Sequence, residues 1–246
     1  MITWIHGLFG APTDFAEVAK RLTVARRQAS MPLPGHGGSP ALEYLAEPAF
    51  EEVSKAFIAS LDTLGIPSTA LIGYSMGARV AMHIARDFPD RVTELVVIGG
   101  HPGLEGEDAR MGRQMVDRKR ADRIRGGGLK AFLETWYRQP LFAQFRAHPG
   151  FAQIVEARSA GDPAGVATTL ERLSTGHQAP LTEGLIASTI PTLWVVGAED
   201  TRYLGLLEPL ARAQASGKLA IIPGAGHAVV TEAPEALADA LNAFLG

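Results

Sequence analysis

Leu71-Ile72-Gly73-Tyr74-Ser75-Met76-Gly77-Ala78-Arg79 is the stretch on which the fold turns. The run Thr69 to Ile72 is apolar and short, which predicts a buried strand, while the residues after Ser75 read as a helix that ends near Phe88, stopped by Pro89. Between strand and helix, Gly73 and Gly77 flank a serine as G-x-S-x-G. A sharp turn of this kind needs glycine on both sides, because a Cβ would meet the neighbouring backbone. The turn lifts the Ser75 hydroxyl clear of the sheet and aims the Met76 N–H at the place where negative charge develops in acyl or enol chemistry. An ordinary glycine-rich loop gives the same pattern, so the serine needs partners elsewhere in the chain.

Two later strand ends supply them. Thr192 to Val196 reads as a strand and runs into Gly197-Ala198-Glu199-Asp200; Lys218 to Ile222 reads as the next and runs into Pro223-Gly224-Ala225-Gly226-His227. Asp200 alone suits a helix cap and His227 alone a loop histidine. Together with Ser75 they form the order serine, acid, histidine, each just past a strand end, where parallel α/β sheets gather their functional groups. An imidazole oriented by a carboxylate turns a serine hydroxyl into a nucleophile or base. Glu199 competes with Asp200 for the acid role. Upstream, Ile2 to Ile5 predicts a first strand ending in His6-Gly7-Leu8-Phe9-Gly10, so the N–H of Leu8 or Phe9 is expected to join that of Met76 in an oxyanion hole. The set resembles the α/β-hydrolase superfamily: a mostly parallel sheet with helices on both faces, here without the usual strands before the oxyanion loop.

The remaining elements fit that plan. A helix capped by Thr13 or Asp14 is expected through Leu22, a second strand over Val24 to Met31, and an amphipathic helix over Glu47 to Leu64 closed by Gly65-Ile66-Pro67. After the strand Thr93 to Ile98 the alternation lapses from His101 to Thr189, too long for a plain loop. Helical stretches over Ala109–Arg123, Leu129–Tyr137, Phe151–Arg158 and Pro163–Leu173, with a break at Gly126-Gly127-Gly128, make it an inserted lid. The expected division is a core of residues 1–100 and 190–246 with a helical cap of residues 101–189. A helix near Tyr203–Ala215 and another over Pro234–Leu245 finish the core.

Composition narrows the function classes. Of 246 residues 46% are hydrophobic, enough for a sizeable core, and the absence of cysteine excludes a thiol nucleophile, disulfides and thiolate metal sites. No basic leader and no long apolar run appear, which predicts a cytoplasmic protein without a membrane partner. A net charge of −3 argues against nucleic acid. The charge is uneven, however: residues 101–160 carry nine Arg and two Lys against seven Asp plus Glu, so the acidic chain has a basic insert.

Arg79 belongs with that insert. It lies four residues after Ser75, one turn along the same helix face, where a guanidinium favours a carboxylate-bearing substrate; a surface or interdomain ion pair is the bland alternative. Gly73-Tyr74-Ser75-Met76-Gly77-Ala78-Arg79, Gly99-Gly100-His101-Pro102-Gly103-Leu104, the pair Arg110 and Arg113, and Trp136-Tyr137-Arg138-Gln139-Pro140-Leu141-Phe142 together resemble the 2-succinyl-6-hydroxy-2,4-cyclohexadiene-1-carboxylate synthases of menaquinone biosynthesis. The resemblance spans nearly the whole chain. It implies an α/β-hydrolase fold with a helical cap and a lyase reaction in which pyruvate leaves a succinylated enolpyruvyl cyclohexene carboxylate. It also implies substrate-binding roles for Tyr74, Arg79, Arg113, Trp136 and Arg158, a polycarboxylate small molecule as the partner, and no metal or organic cofactor. Arg110, Arg118, Arg120 and Arg123 are read as a solvated helix face.

The expected chemistry is proton abstraction without an acyl-enzyme: His227, oriented by Asp200, takes the Ser75 proton, and Ser75 takes a proton from the substrate ring. Two rivals stay open at this level, a carboxylesterase working through an acyl-serine and a hydrolase-fold protein that binds its ligand without turnover. A monomer or small homo-oligomer is expected.

Overall fold

The structure, a computed structural model, describes residues 1–40 and 48–246. Six strands form one sheet: β1 (Ile2–Ile5), β2 (Gln28–Met31), β3 (Thr69–Tyr74), β4 (Val92–Ile98), β5 (Thr192–Gly197) and β6 (Gly217–Ile222). Their order is β2-β1-β3-β4-β5-β6 and every neighbouring pair is parallel. The central strands are largely apolar where both faces are covered, Thr93 and Glu94 at the start of β4 being the polar exceptions that reach solvent, and their side chains still alternate. Leu71, Leu95, Val97, Trp194 and Val196 face one core with helices α2 (Ala49–Thr63), α3 (Met76–Asp87) and α9 (Thr201–Ala213). Ala70, Ile72, Val96, Ile98, Leu193 and Val195 face the other, with α1 (Ala16–Ala19) and α11 (Pro234–Leu245).

From β1 the chain steps to β2 on one side and then to β3 on the other. The strand order therefore reverses between β1 and β3, and a crevice opens beyond their carboxyl ends. The turns carrying Leu8 and Ser75 sit at this point.

Between β4 and β5 lie α4 (Glu107–Trp136), α5 (Ala143–Ala147), α6 (Phe151–Ser159), α7 (Pro163–Arg172) and α8 (Thr182–Ala187). Helices α4 to α7 enclose a third apolar cluster built on Ile124, Phe132, Leu133, Phe145 and Leu170, which also takes in Phe9 from the turn after β1 and Ala228 from the loop after β6, while Leu185 of α8 joins the first core. The inserted helices thereby rest on the carboxyl end of the sheet. A last short helix, α10 (Val229–Glu232), follows His227.

Several local expectations change. Thr13 and Asp14 do not cap a helix: a 3-10 turn, Pro12–Phe15, starts on Pro12 without a side-chain cap, and Asp14 turns instead to Arg158. The second strand is only Gln28–Met31. The helix expected from Glu47 begins at Ala49, Glu47 itself lying outside the described residues. Helix α4 runs through Gly126 and Gly127 and breaks at Gly128 alone, where φ is 77° and ψ 169°. Among the described residues no helix is long and apolar enough to cross a membrane.

Candidate active site

Ser75 occupies the turn between β3 and α3 with φ 52° and ψ −109°, a left-handed conformation rare for a residue with a Cβ. The surroundings hold it there. Ser75 N–H donates to the Ile98 carbonyl on β4 at 2.8 Å, and the Arg79 N–H closes the first helical turn on the Ser75 carbonyl at 3.2 Å. Glycine is obligatory on either side: a Cβ at Gly77 would stand 2.1 Å from the Ile5 carbonyl oxygen, and one at Gly73 would stand 2.5 Å from the Ala78 Cα. The Ala78 methyl fits because it faces Gly100, whose own Cβ would come within 2.6 Å of it.

His227 Nε2 lies 3.1 Å from Ser75 Oγ, and its Nδ1 lies 2.8 Å from Asp200 Oδ2. Asp200 and His227 are both buried. With the carboxylate accepting from Nδ1–H, Nε2 carries the lone pair that receives the serine proton. Asp200 is also a helix cap, since its Oδ1 accepts the Tyr203 N–H at 3.2 Å. The cap reading is thus seen directly, on the oxygen that does not meet the imidazole. Glu199 is exposed and engages through its backbone N–H to the Ala225 carbonyl. The Tyr203 ring packs 4.8 Å from the imidazole, a neighbour that no sequence motif marks.

In the turn after β1, Leu8 and Phe9 differ in what their amides meet. Phe9, with φ 64°, directs its N–H to His36 Nε2 at 3.1 Å, so this amide already has an acceptor. The Leu8 N–H has no acceptor among the described residues, and Leu8 lines the same cavity as Ser75 and Met76. Two buried imidazoles brace the turn. His6 Nε2 accepts the Leu33 N–H at 3.0 Å, which leaves Nδ1–H to donate to the Gly7 carbonyl at 2.8 Å. His36 repeats the arrangement, accepting from Phe9 and donating Nδ1–H to the Pro34 carbonyl at 2.9 Å. Burial pushes both down to about 4, so each is a neutral acceptor at neutral pH.

Two small cavities meet at Ser75 and His227. The first, about 110 Å³, is lined by Arg79, Arg113, Arg120 and Arg202, and no carboxylate of the described residues lines it. Arg79 is buried, and among the described residues its guanidinium makes one hydrogen bond, from Nη1 to the Leu173 carbonyl at 2.6 Å; Phe50 packs under the guanidinium. Burial, followed by the positive charge of Arg113, lowers it to about 10, still fully protonated at neutral pH. Its burial excludes the surface form of the bland reading. Arg120, expected on a solvated face, reaches this cavity and lies 5.1 Å above the Trp136 ring. Arg202, two residues past Asp200, was not singled out by the sequence, which does not say which way an arginine in a helix's first turn projects. Arg110, Arg118 and Arg123 keep to the periphery, on the Leu104 carbonyl, on Glu171 and against Phe132.

The second cavity, about 40 Å³, is lined by Tyr74, Trp136, Tyr137 and Arg158 among others. Trp136 borders both cavities, whereas Tyr137 is core of the inserted helices apart from its hydroxyl. Arg158 donates to that hydroxyl at 2.6 Å and pairs with Asp14 at 3.2 Å. Burial alone would lower the Arg158 guanidinium, but Tyr137 and Asp14 outweigh it and hold the guanidinium above its ordinary range. Arg158 thus has a carboxylate and a hydroxyl on its two Nη groups, with its buried Nε left without a partner, whereas Arg79 meets only a backbone carbonyl among the described residues.

Comparison with known proteins agrees with this geometry. Residues 4–240 match the alpha/beta hydrolase family. The 2-succinyl-6-hydroxy-2,4-cyclohexadiene-1-carboxylate synthase of Escherichia coli is 33% identical over 244 residues, covering 99% of this chain and 93% of that protein. Protein PHYLLO, chloroplastic, of Arabidopsis thaliana is 31% identical over 257 residues, but the chain spans only 15% of its length. Among solved structures, MenH from S. aureus superposes with a TM-score of 0.92 at 25% identity, covering 99% of this chain and 92% of that one. On these matches the chain belongs to the α/β-hydrolase family and, within it, to the family of the 2-succinyl-6-hydroxy-2,4-cyclohexadiene-1-carboxylate synthases.

Proposed function

We propose that this chain is a lyase that eliminates pyruvate from 2-succinyl-5-enolpyruvyl-6-hydroxy-3-cyclohexene-1-carboxylate to give 2-succinyl-6-hydroxy-2,4-cyclohexadiene-1-carboxylate. One observation carries the reading: Arg79, a buried guanidinium with no carboxylate partner among the described residues, stands one helical turn from Ser75 in a cavity of arginines. The substrate has a ring, a succinyl and an enolpyruvyl carboxylate. Arg79, Arg113, Arg120 and Arg202, offset by the one carboxylate of Asp117, leave a net charge of +3 to meet them.

The change from a 3-cyclohexene to a 2,4-cyclohexadiene fixes what must move. A proton leaves the ring carbon bearing the succinyl group, the double bond shifts by one position, and the bond from ring carbon to enolpyruvyl oxygen breaks. The leaving enolpyruvate takes up a proton to become pyruvate. In the proposed mechanism His227 Nε2 accepts the Ser75 proton and Ser75 Oγ takes the ring proton, with Asp200 stabilising the imidazolium. Charge flows through the succinyl ketone, whose oxygen is stabilised by the N–H groups of Leu8 and Met76. Tyr74, Trp136, Arg113 and Arg158 complete the substrate-binding set. Residues 101–189 act as a cap on a core of residues 1–100 and 190–246, and the enzyme works on a small molecule in the cytoplasm, without nucleic acid or membrane, as a monomer or small homo-oligomer.

The test is pyruvate release from the enolpyruvyl substrate, followed with lactate dehydrogenase, for the wild type beside Ser75→Ala. Loss of about a thousandfold or more in kcat is expected. Equal rates in the two proteins overturn the role of Ser75. A burst of alcohol from simple esters, with no pyruvate from the wild type, replaces the lyase by an esterase working through an acyl-serine.

A further inference from the structure

Three of the four arginines in the larger cavity trace back to one short stretch of chain. After α7 the backbone runs Leu173-Ser174-Thr175-Gly176, and the Leu173 carbonyl receives Arg79. Ser174, fully buried, donates its hydroxyl to Asp117 Oδ2 at 2.8 Å. The same carboxylate receives Arg113 Nε on Oδ2 at 2.6 Å and Arg120 Nη1 on Oδ1 at 2.7 Å. The stretch is itself pinned: Gly176 N–H closes on the Ser174 hydroxyl at 3.0 Å, and Gln114 donates to the Gly176 carbonyl at 2.8 Å. A Cβ at Gly176 would stand 2.5 Å from the Arg110 carbonyl oxygen, so the chain could not approach α4 this closely with any other residue.

Asp117 is 0% exposed, a carboxylate sealed into the wall of a cavity suited to polyanions. On charge alone that placement is unfavourable, since it weakens the field that attracts the substrate. A buried carboxylate persists when its acceptor positions are filled, and three side-chain donors fill this one. What it supplies is geometry. A free arginine samples many rotamers and loses them on binding, whereas one bonded through Nε or a single Nη is ordered beforehand and keeps its other N–H groups for a ligand.

We infer that Asp117 is a positioning residue, buried so that Arg113 and Arg120 stand as a preordered carboxylate receptor, with Ser174 fixing Asp117 and residues 173–176 locking this pair to Arg79. The inference rests on the polycarboxylate reading of the cavity. Asp117→Asn tests it, because it keeps the shape and makes the cavity one charge more positive. Simple electrostatics then demands tighter binding of anions, and positioning demands weaker. For Asp117→Asn the Kd of propane-1,2,3-tricarboxylate, measured calorimetrically on the full chain, and the KM for the enolpyruvyl substrate should both rise roughly ten- to hundredfold. Labelling of Ser75 by a fluorophosphonate should be unchanged. An unchanged or lower Kd, or a wild type that does not bind the tricarboxylate, overturns the inference. If Asp117→Asn does not fold, Ser174→Ala decides: a rise in Kd of roughly two- to fivefold supports positioning and no change overturns it. A wild type that releases no pyruvate, but binds the tricarboxylate and loses that binding in Asp117→Asn, refutes the lyase reading alone.

Discussion

The two walls of the catalytic cavity are built on different principles. On the sheet side, Leu8, Ser75, Asp200 and His227 stand on turns after β1, β3, β5 and β6 and are fixed by backbone geometry: a left-handed serine, glycines that admit no Cβ, and amides received by buried imidazoles. On the side of the inserted helices, Arg113 and Arg120 are fixed by a carboxylate. The first wall is electrically neutral at its supports, since His6 and His36 are held unprotonated; the second is permanently charged. The inserted helices thus add charge to a sheet end that holds Ser75, Asp200 and His227 by backbone geometry, and exchanging such a cover is how one sheet can serve many chemistries.

Arg79 crosses that division, because it rises from the sheet side on α3 but is bonded to Leu173 in the inserted segment. Arg79→Ala should therefore give the largest effect after loss of the serine, a fall of about a hundredfold in kcat/KM for the carboxylated substrate with the fold intact. An unchanged kcat/KM would mean that the charged wall does not select the substrate. Acid should separate the walls by stability. His6, His36 and His101 are lowered to about 4 and His83 to about 3, from 6.5, with burial the largest cause in each. The folded protein then binds fewer protons than the unfolded chain below pH 6.5, so stability from these groups is full above 6.5 and is lost as pH falls towards 4. Thermal midpoints should drop steeply over that window and the drop should shrink in His36→Asn; a flat profile would contradict the buried neutral pair. The smallest effect belongs to Glu199→Gln, since Glu199 is exposed and uses only its backbone: kcat and KM should stay within about twofold, and a large loss would transfer the acid role from Asp200.

The sequence was most legible where backbone constraints govern. Hydrophobic runs located the strands because a covered parallel strand tolerates little else, and G-x-S-x-G located the turn because Gly73 and Gly77 have no room for a side chain. Side-chain direction was less legible. Arg113, Arg118, Arg120 and Arg123 lie within three turns of one helix, and only the packing of α4 on α7 and on residues 173–176 decides that Arg113 and Arg120 face inward. Asp117 was invisible for the same reason, a lone acid in a basic stretch. Helices α5, α8 and α10, four to six residues long, are too short to establish a period. The break expected at Gly126-Gly127-Gly128, because glycine disfavours helix, falls at Gly128, with helical geometry kept through Gly126 and Gly127.

Asp200 has one oxygen on the imidazole and the other on the first turn of α9, whose Tyr203 ring rests on that same imidazole. Acid, helix start and histidine form a single mechanical unit, and the end of a helix is among the first places to open when a protein is warmed. Fraying of one turn would swing the carboxylate and the tyrosine away together, leaving the serine without its base while the sheet is still intact. Heat inactivation is thus expected to run ahead of unfolding, with catalytic failure beginning at the amino end of α9.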